Sequence, residues 1–220
     1  MKNLKQDIIK FNYDKNLRYE DFYVSISNKH ILDLFNNWPD WEKNFINIIG
    51  ENFSGKTHLI NIFLKEKGGV IIESNQLNDE NLVKIKNFKN IILENVDLNI
   101  NEKLLYTLIN IIDQEGKYLI ITSTRPIVEL NFDLGDLRSR ANNFLLQNIE
   151  KPDDDLIYAI ILKNLSDRQI LIDKKLINFI VKRINRSYSK IFDFIYKIDE
   201  TSLKKKKPID LKIIKEVLGE

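Results

Sequence analysis

Residues Gly50-Glu-Asn-Phe-Ser-Gly-Lys-Thr57 space two glycines, a lysine and a hydroxyl as G-x-x-x-x-G-K-T. Chemistry on a phosphate chain needs that spacing. A glycine-rich turn lets backbone N–H groups converge on an anion, and a helix opening at Lys56-Thr57 turns its positive end toward the same point. The pattern predicts a bound nucleoside triphosphate or diphosphate held by Gly50, Asn52, Ser54, Gly55, Lys56, Thr57 and His58. Lys56 would reach the β- and γ-phosphates, and Thr57 would ligate Mg²⁺.

Such a cation needs an acidic residue at the end of a neighbouring strand. Asn90-Ile-Ile-Leu-Glu-Asn-Val-Asp97 supplies Glu94 for that role. Asn95 follows, where many hydrolysing P-loop proteins carry a glutamate; an amide takes no proton, so slow intrinsic hydrolysis is expected. A further hydroxyl, Ser123, closes the run Tyr118-Leu-Ile-Ile-Thr-Ser123 at a strand's carboxyl end, where it would sense the γ-phosphate. Asp136-Leu-Arg-Ser-Arg140 then puts two arginines on an expected surface helix. From the residues alone, these are either solvated charges or a finger aimed at a neighbouring subunit's nucleotide.

The elements that must position these groups are legible as alternating apolar runs and helical periods. Strands are expected at Phe45–Ile49, Gly69–Glu73, Asn90–Leu93, Tyr118–Thr122 and Phe144–Gln147. Helices are expected from Thr57 and over Asn101–Asp113. This is an α/β pattern with a parallel five-stranded sheet. Helical spacing alone continues over Asp153–Leu165, Asp173–Ile184, Ser189–Ile198 and a last helix capped by Asp210, predicting a small all-helical lid. The expected division is an arm over 1–16, a nucleotide-binding base over 17–150 and the lid over 151–220, with Pro152 at the boundary.

Composition narrows the function classes. In 220 residues there is no cysteine, which excludes a disulfide framework and thiolate metal sites and fits a cytoplasmic location. No apolar run approaches the ~18 residues a membrane span needs. A net charge of +2 gives no global field for nucleic acid, so only local clusters are candidates. Lys204–Lys207, ahead of Pro208, is one; it reads as a solvated linker before the last helix or as a phosphate-binding patch.

Taken together, the phosphate loop, Glu94-Asn95, Ser123-Thr-Arg-Pro126, Leu137-Arg-Ser-Arg140 and the helical lid resemble the DnaA/Hda family of AAA+ proteins, most of all the Hda-type regulatory inactivators of DnaA. Tyr19-Glu-Asp-Phe22 through Asn28 looks like the family's adenine-packing segment, with Ser25 where a glycine is usual. The resemblance implies an AAA+ P-loop base, ATP or ADP with Mg²⁺ as cofactors, and Arg140 as a trans-acting finger on DnaA. It also implies that Ser123 is the first sensor residue. Gln6-Asp-Ile-Ile-Lys-Phe11 fits Q-x-x-h-x-F, the pattern of peptides that dock on the bacterial sliding clamp, making Gln6, Ile9 and Phe11 its contact residues.

Departures from the family pattern are specific. Ser189 stands where a lid arginine usually meets the γ-phosphate, with Arg186 and Lys190 the nearest basic residues, and Ala141 replaces the usual phenylalanine after Arg140. The chain stops at Glu220, where DnaA continues into a DNA-binding domain, so sequence-specific DNA binding is not expected. A dimer of two copies is compatible with the resemblance. The competing expectations are a DnaA-like or helicase-loader-like ATPase acting on DNA and, less well matched by Leu137-Arg-Ser-Arg140, a small-molecule P-loop kinase.

Overall fold

The computed structural model describes residues 22–220. Gln6, Ile9 and Phe11, like the first part of the adenine-packing segment, lie outside the described residues. Helix α1 (Lys29–Asn36) precedes strand β1 (Phe45–Ile49), which runs through the phosphate loop into α2 (Lys56–Lys67). There follow β2 (Val70–Glu73), α3 (Asp79–Lys84), β3 (Asn90–Val96), α4 (Glu102–Gln114), β4 (Tyr118–Ser123), α5 (Gly135–Ala141) and β5 (Leu145–Asn148). Four helices complete the described chain: α6 (Asp154–Asp167), α7 (Lys174–Val181), α8 (Tyr188–Lys205) and α9 (Leu211–Leu218).

The five strands are all parallel, in the order β2-β3-β4-β1-β5. Both faces are covered, which explains why the strands read as nearly unbroken apolar runs. Alternate residues sort between two cores. Phe45, Ile91, Leu93, Leu119 and Ile121 pack with α3, α4 and α5. Ile46, Ile48, Ile92 and Ile120 pack with α1 and α2 on the opposite face. The lid helices enclose a third cluster built on Ile157, Ile161, Ile177, Ile180, Ile195 and Ile214. Side-chain carboxylates of Asp153, Asp173 and Asp210 accept first-turn N–H groups and so fix where α6, α7 and α9 begin.

Several boundaries differ from the sequence expectation, each for a local reason. β5 starts one residue late because Phe144 turns into the core against Phe45, with ring centroids 5.4 Å apart. β3 runs on to Val96 through an irregularity after Leu93, where Asn95 takes a positive φ of 58°. α8 is 18 residues long rather than ending at Ile198, so Lys204 and Lys205 form its last turn instead of a linker. Those two lysines pair with Glu200 and Glu216.

Phe63 of α2 anchors the aromatic cluster behind the phosphate loop. It is 1% exposed and stacks on Trp41 at 5.6 Å, with Phe35 at 4.8 Å. Phe63→Ala is expected to destabilise the fold by about 3–5 kcal/mol through lost transfer energy and the cavity left behind. Denaturant unfolding checks this; a loss under about 1 kcal/mol would mean the cluster collapses around the gap.

Candidate nucleotide site

The phosphate loop sits at the carboxyl end of β1, where β4 and β5 flank it in parallel register. Two glycines make its shape available. A Cβ on Gly50 would lie 2.5 Å from Ser54 Oγ, and Gly55 holds φ at 94° as the residue that opens α2. Ser54 Oγ is buried without a hydrogen-bond partner inside this turn. Lys56, 7% exposed, donates from Nζ to Gly50 O at 2.7 Å and Glu51 O at 2.8 Å. Burial pulls its pKa from 10.5 to about 8, against the opposing attraction of Glu94 and Glu51.

The acidic member of the site comes from β3. Glu94 is 3% exposed, and the Thr57 hydroxyl bonds its carboxylate while Oε1 is left without a partner. Burial raises its carboxyl above the usual range, opposed by Thr57, reinforced by Glu73 and opposed again by Lys56. An orphaned buried carboxylate oxygen beside a hydroxyl is a hard-oxygen donor pair. It fits Mg²⁺, which keeps waters and phosphate oxygens in its shell rather than requiring an all-protein cage.

A cavity of about 600 Å³ opens over the loop. Asn52, Ser54, Gly55, Lys56, Thr57 and His58 line its floor. Phe22, Tyr23 and Asn28 line it from the segment before α1, with Phe22 edge-on to His58 at 5.0 Å. The roof comes from the lid, through Leu156, Ile160, Lys163, Tyr188 and Phe192 among others. Lid and loop also touch directly: Ser187 Oγ donates to Glu51 Oε2 at 2.7 Å, and the rings of Phe53 and Phe192 stack at 4.9 Å. Tyr188 OH donates to Glu150 O at 3.1 Å. Sequence reasoning missed the Phe53 and Phe192 pair, because neither its spacing of 139 positions nor its residue type carries a periodic signal.

Other expected site residues are placed elsewhere. Gly50 underlies the loop rather than lining the cavity. Ser123 is not brought to the cavity either; it is 2% exposed, accepts from Asn47 Nδ2 at 2.8 Å and donates to Arg125 O at 2.6 Å. Its hydroxyl is occupied in tying β1 to the turn after β4. Arg186 pairs with Asp154 at 2.7 Å, and neither it nor Lys190 lines the cavity; the lid's contribution of positive charge there is Lys163 instead. Arg140 lies on α5, outside the chain's own cavity, with Nη1 on Asp113 Oδ2 at 2.7 Å.

A parallel sheet of this order, a phosphate loop after its β1, an acidic residue on β3 and a helical lid after β5 make up an AAA+ P-loop fold. Residues 153–218 match the family model for the Hda lid domain. The fold is similar to domain III of the Thermotoga maritima replication initiation protein DnaA, with a TM-score of 0.71 and 20% identity over 94% of this chain and 97% of that one. AMPPCP-bound DnaA from Aquifex aeolicus is similar with a TM-score of 0.63 and 19% identity, over 84% of this chain and 65% of its own. A Haemophilus influenzae protein described as uncharacterized is 26% identical over 91% of this chain and 92% of its own. The chain thus has the AAA+ fold seen in DnaA domain III, and its residues 153–218 match an Hda-type lid. Among the described residues, no helix is long and apolar enough to cross a membrane.

Proposed function

We propose that this chain is a nucleotide-binding regulator of replication initiation that acts on DnaA. It holds ATP or ADP with Mg²⁺ in its own site and supplies Arg140 to the nucleotide of a DnaA molecule docked against α5. The observation that carries this reading is the combination of a built phosphate site beneath an Hda-type lid with an arginine that stands outside that site on an outer helix. DnaA would then hydrolyse its bound ATP and pass to its ADP form. Gln6, Ile9 and Phe11 would tether the regulator to the DNA-loaded sliding clamp, raising its effective concentration near DnaA.

Within this site, Mg²⁺ would be held by Thr57 and, directly or through water, by Glu94, and would neutralise charge on the phosphates. Lys56 Nζ, which donates to the Gly50 and Glu51 carbonyls, would turn to phosphate oxygens of a bound nucleotide, stronger acceptors for an ammonium. The backbone of the loop and the opening turn of α2 supply further donors. Asn95 in place of a glutamate fits a chain whose nucleotide serves mainly to hold base and lid together.

Measuring hydrolysis of DnaA-bound ATP with this protein added, with and without clamp loaded on DNA, tests the reading. Acceleration that depends on clamp supports it. No effect on DnaA combined with fast turnover by this chain alone would replace it with a loader-type ATPase.

The Lys56 environment gives a pH signature. In the ligand-free fold Lys56 loses its charge near 8, whereas bound phosphate restores it, so binding above that pH takes up a proton. Affinity for ADP is expected to be constant below about pH 7 and to fall roughly tenfold per unit above about pH 8. Calorimetry in buffers of different ionisation enthalpy would show the proton uptake; a flat profile up to about pH 9.5 would mean that Lys56 does not pair with phosphate.

A further inference from the structure

The G-x-x-x-x-G-K-T pattern constrains Gly50, Gly55, Lys56 and Thr57 and leaves the side chains of Glu51 and Phe53 without a duty toward phosphate. Both reach the lid instead. Glu51 Oε2 accepts from Ser187 Oγ at 2.7 Å, and the Phe53 ring stacks on Phe192 with centroids 4.9 Å apart and planes at 26°. Each contact is kept at a local cost. Ser187 is the N-cap residue of α8, yet its side chain accepts no N–H of that helix, the bond a serine in this place ordinarily makes. Phe53 holds φ at 69°, in the left-handed region that a bulky side chain rarely adopts, and its ring is half exposed rather than drawn into a core. A serine that leaves its own helix uncapped and an aromatic residue on a strained backbone are penalties offset by the contacts between loop and lid.

The contacts fall where they can govern access. Phe53 and Phe192 both line the cavity, one from the phosphate loop and one from the lid, so their stack joins its floor to its roof. Glu51 is also a resting place of Lys56, whose Nζ donates to its carbonyl at 2.8 Å. We propose that Glu51–Ser187 and Phe53–Phe192 form a two-pronged clasp between phosphate loop and lid that sets the rate of nucleotide exchange. A nucleotide enclosed between floor and roof enters or leaves when the two part, and parting them breaks both contacts. A clasp made equally with and without nucleotide slows entry and exit by the same factor and leaves affinity where it was. The site then keeps one nucleotide through repeated encounters with a partner. The inference rests on the nucleotide-site reading above.

Stopped-flow fluorescence with a fluorescent ADP analogue and Mg²⁺ measures both rate constants on the full chain. Ser187→Ala removes one prong. Phe53→Gly removes the other and suits the left-handed backbone, so the loop keeps its shape. Each variant is expected to raise the association and dissociation rate constants together by ~10-fold, with their ratio within about threefold of wild type. The double variant should raise both by ~100-fold. Phe53→Tyr keeps the stack and should exchange at the wild-type rate. Unchanged rate constants in the double variant overturn the proposal alone. So does a rise in dissociation with association unmoved, which would make these side chains direct contacts of the nucleotide. A wild-type chain that binds neither the analogue nor unlabelled ADP overturns this proposal and the reading on which it rests.

Discussion

An Arg140→Ala protein is expected to lose stimulation of DnaA-bound ATP hydrolysis by ~10³-fold or more, the scale on which a trans-acting arginine works on phosphoryl transfer. Its affinity for its own nucleotide should not change, because Arg140 does not line the chain's own cavity. Arg140 is held by Asp113 at 2.7 Å, with the two side chains 34% and 49% exposed. A pair so open to solvent contributes about 0–1 kcal/mol. Stabilising a transition state by 10³ is worth about 4 kcal/mol, so release from Asp113 is affordable when a docked nucleotide offers its phosphates. Arg140→Lys should not rescue, since a single ammonium lacks the bidentate fork. The assay follows conversion of labelled ATP on DnaA with clamp present; undiminished stimulation by Arg140→Ala would remove the finger from the mechanism.

Lys56→Met should show opposite signs in two measurements. Nucleotide affinity is expected to fall by ~100-fold or more, the loss of a charge-assisted bond at the phosphates. The melting temperature of the ligand-free protein should rise. Lys56 is more easily deprotonated in the fold, at about 8, than its ordinary 10.5, so its charged form is disfavoured by folding at neutral pH. Because the folded pKa is the lower one, the wild type gains stability as pH rises from about 8 to 10.5, where the unfolded chain still binds the proton. The full shift would correspond to about 3 kcal/mol, but Gly50 O and Glu51 O lose their donor in the variant, so a net gain of roughly 1–2 kcal/mol is expected. Calorimetric melting at neutral pH checks the sign; a lower melting temperature would mean that the ammonium clamps the loop rather than strains it.

How much of this was readable beforehand depended on whether a signal was local. Gly50 to Thr57 is a contiguous motif whose chemistry depends on backbone shape, and its floor residues gather in the cavity. Strands buried on both faces announce themselves as apolar runs, so the sheet was legible apart from ends decided by single contacts such as Phe144 on Phe45. Helix α1 was not, since Lys29–Asn36 is too short to establish a period. Ser123 illustrates the other limit. Its place at the end of β4 was legible, but the buried Asn47 that claims its hydroxyl lies 76 positions away.

The lid's attachment has a mechanical consequence. Leu156 and Tyr188, in the first turns of α6 and α8, belong to the core shared with α1 and α2, whereas the rest of the lid encloses its own cluster. The lid is therefore rooted on the base near the starts of α6 and α8, where Ile160, Ser187 and Phe192 also touch it, and beyond that root it packs on its own core. α8 extends 18 residues from its root, or about 27 Å at the helical rise. A tilt of about 5° at Tyr188 carries the far end of such a rod by roughly 2 Å. Ser187 and Phe192, which grip the phosphate loop, sit beside this fulcrum, so a change too small to unpack either core is magnified along the lever to the tip that carries Lys204 and Lys205.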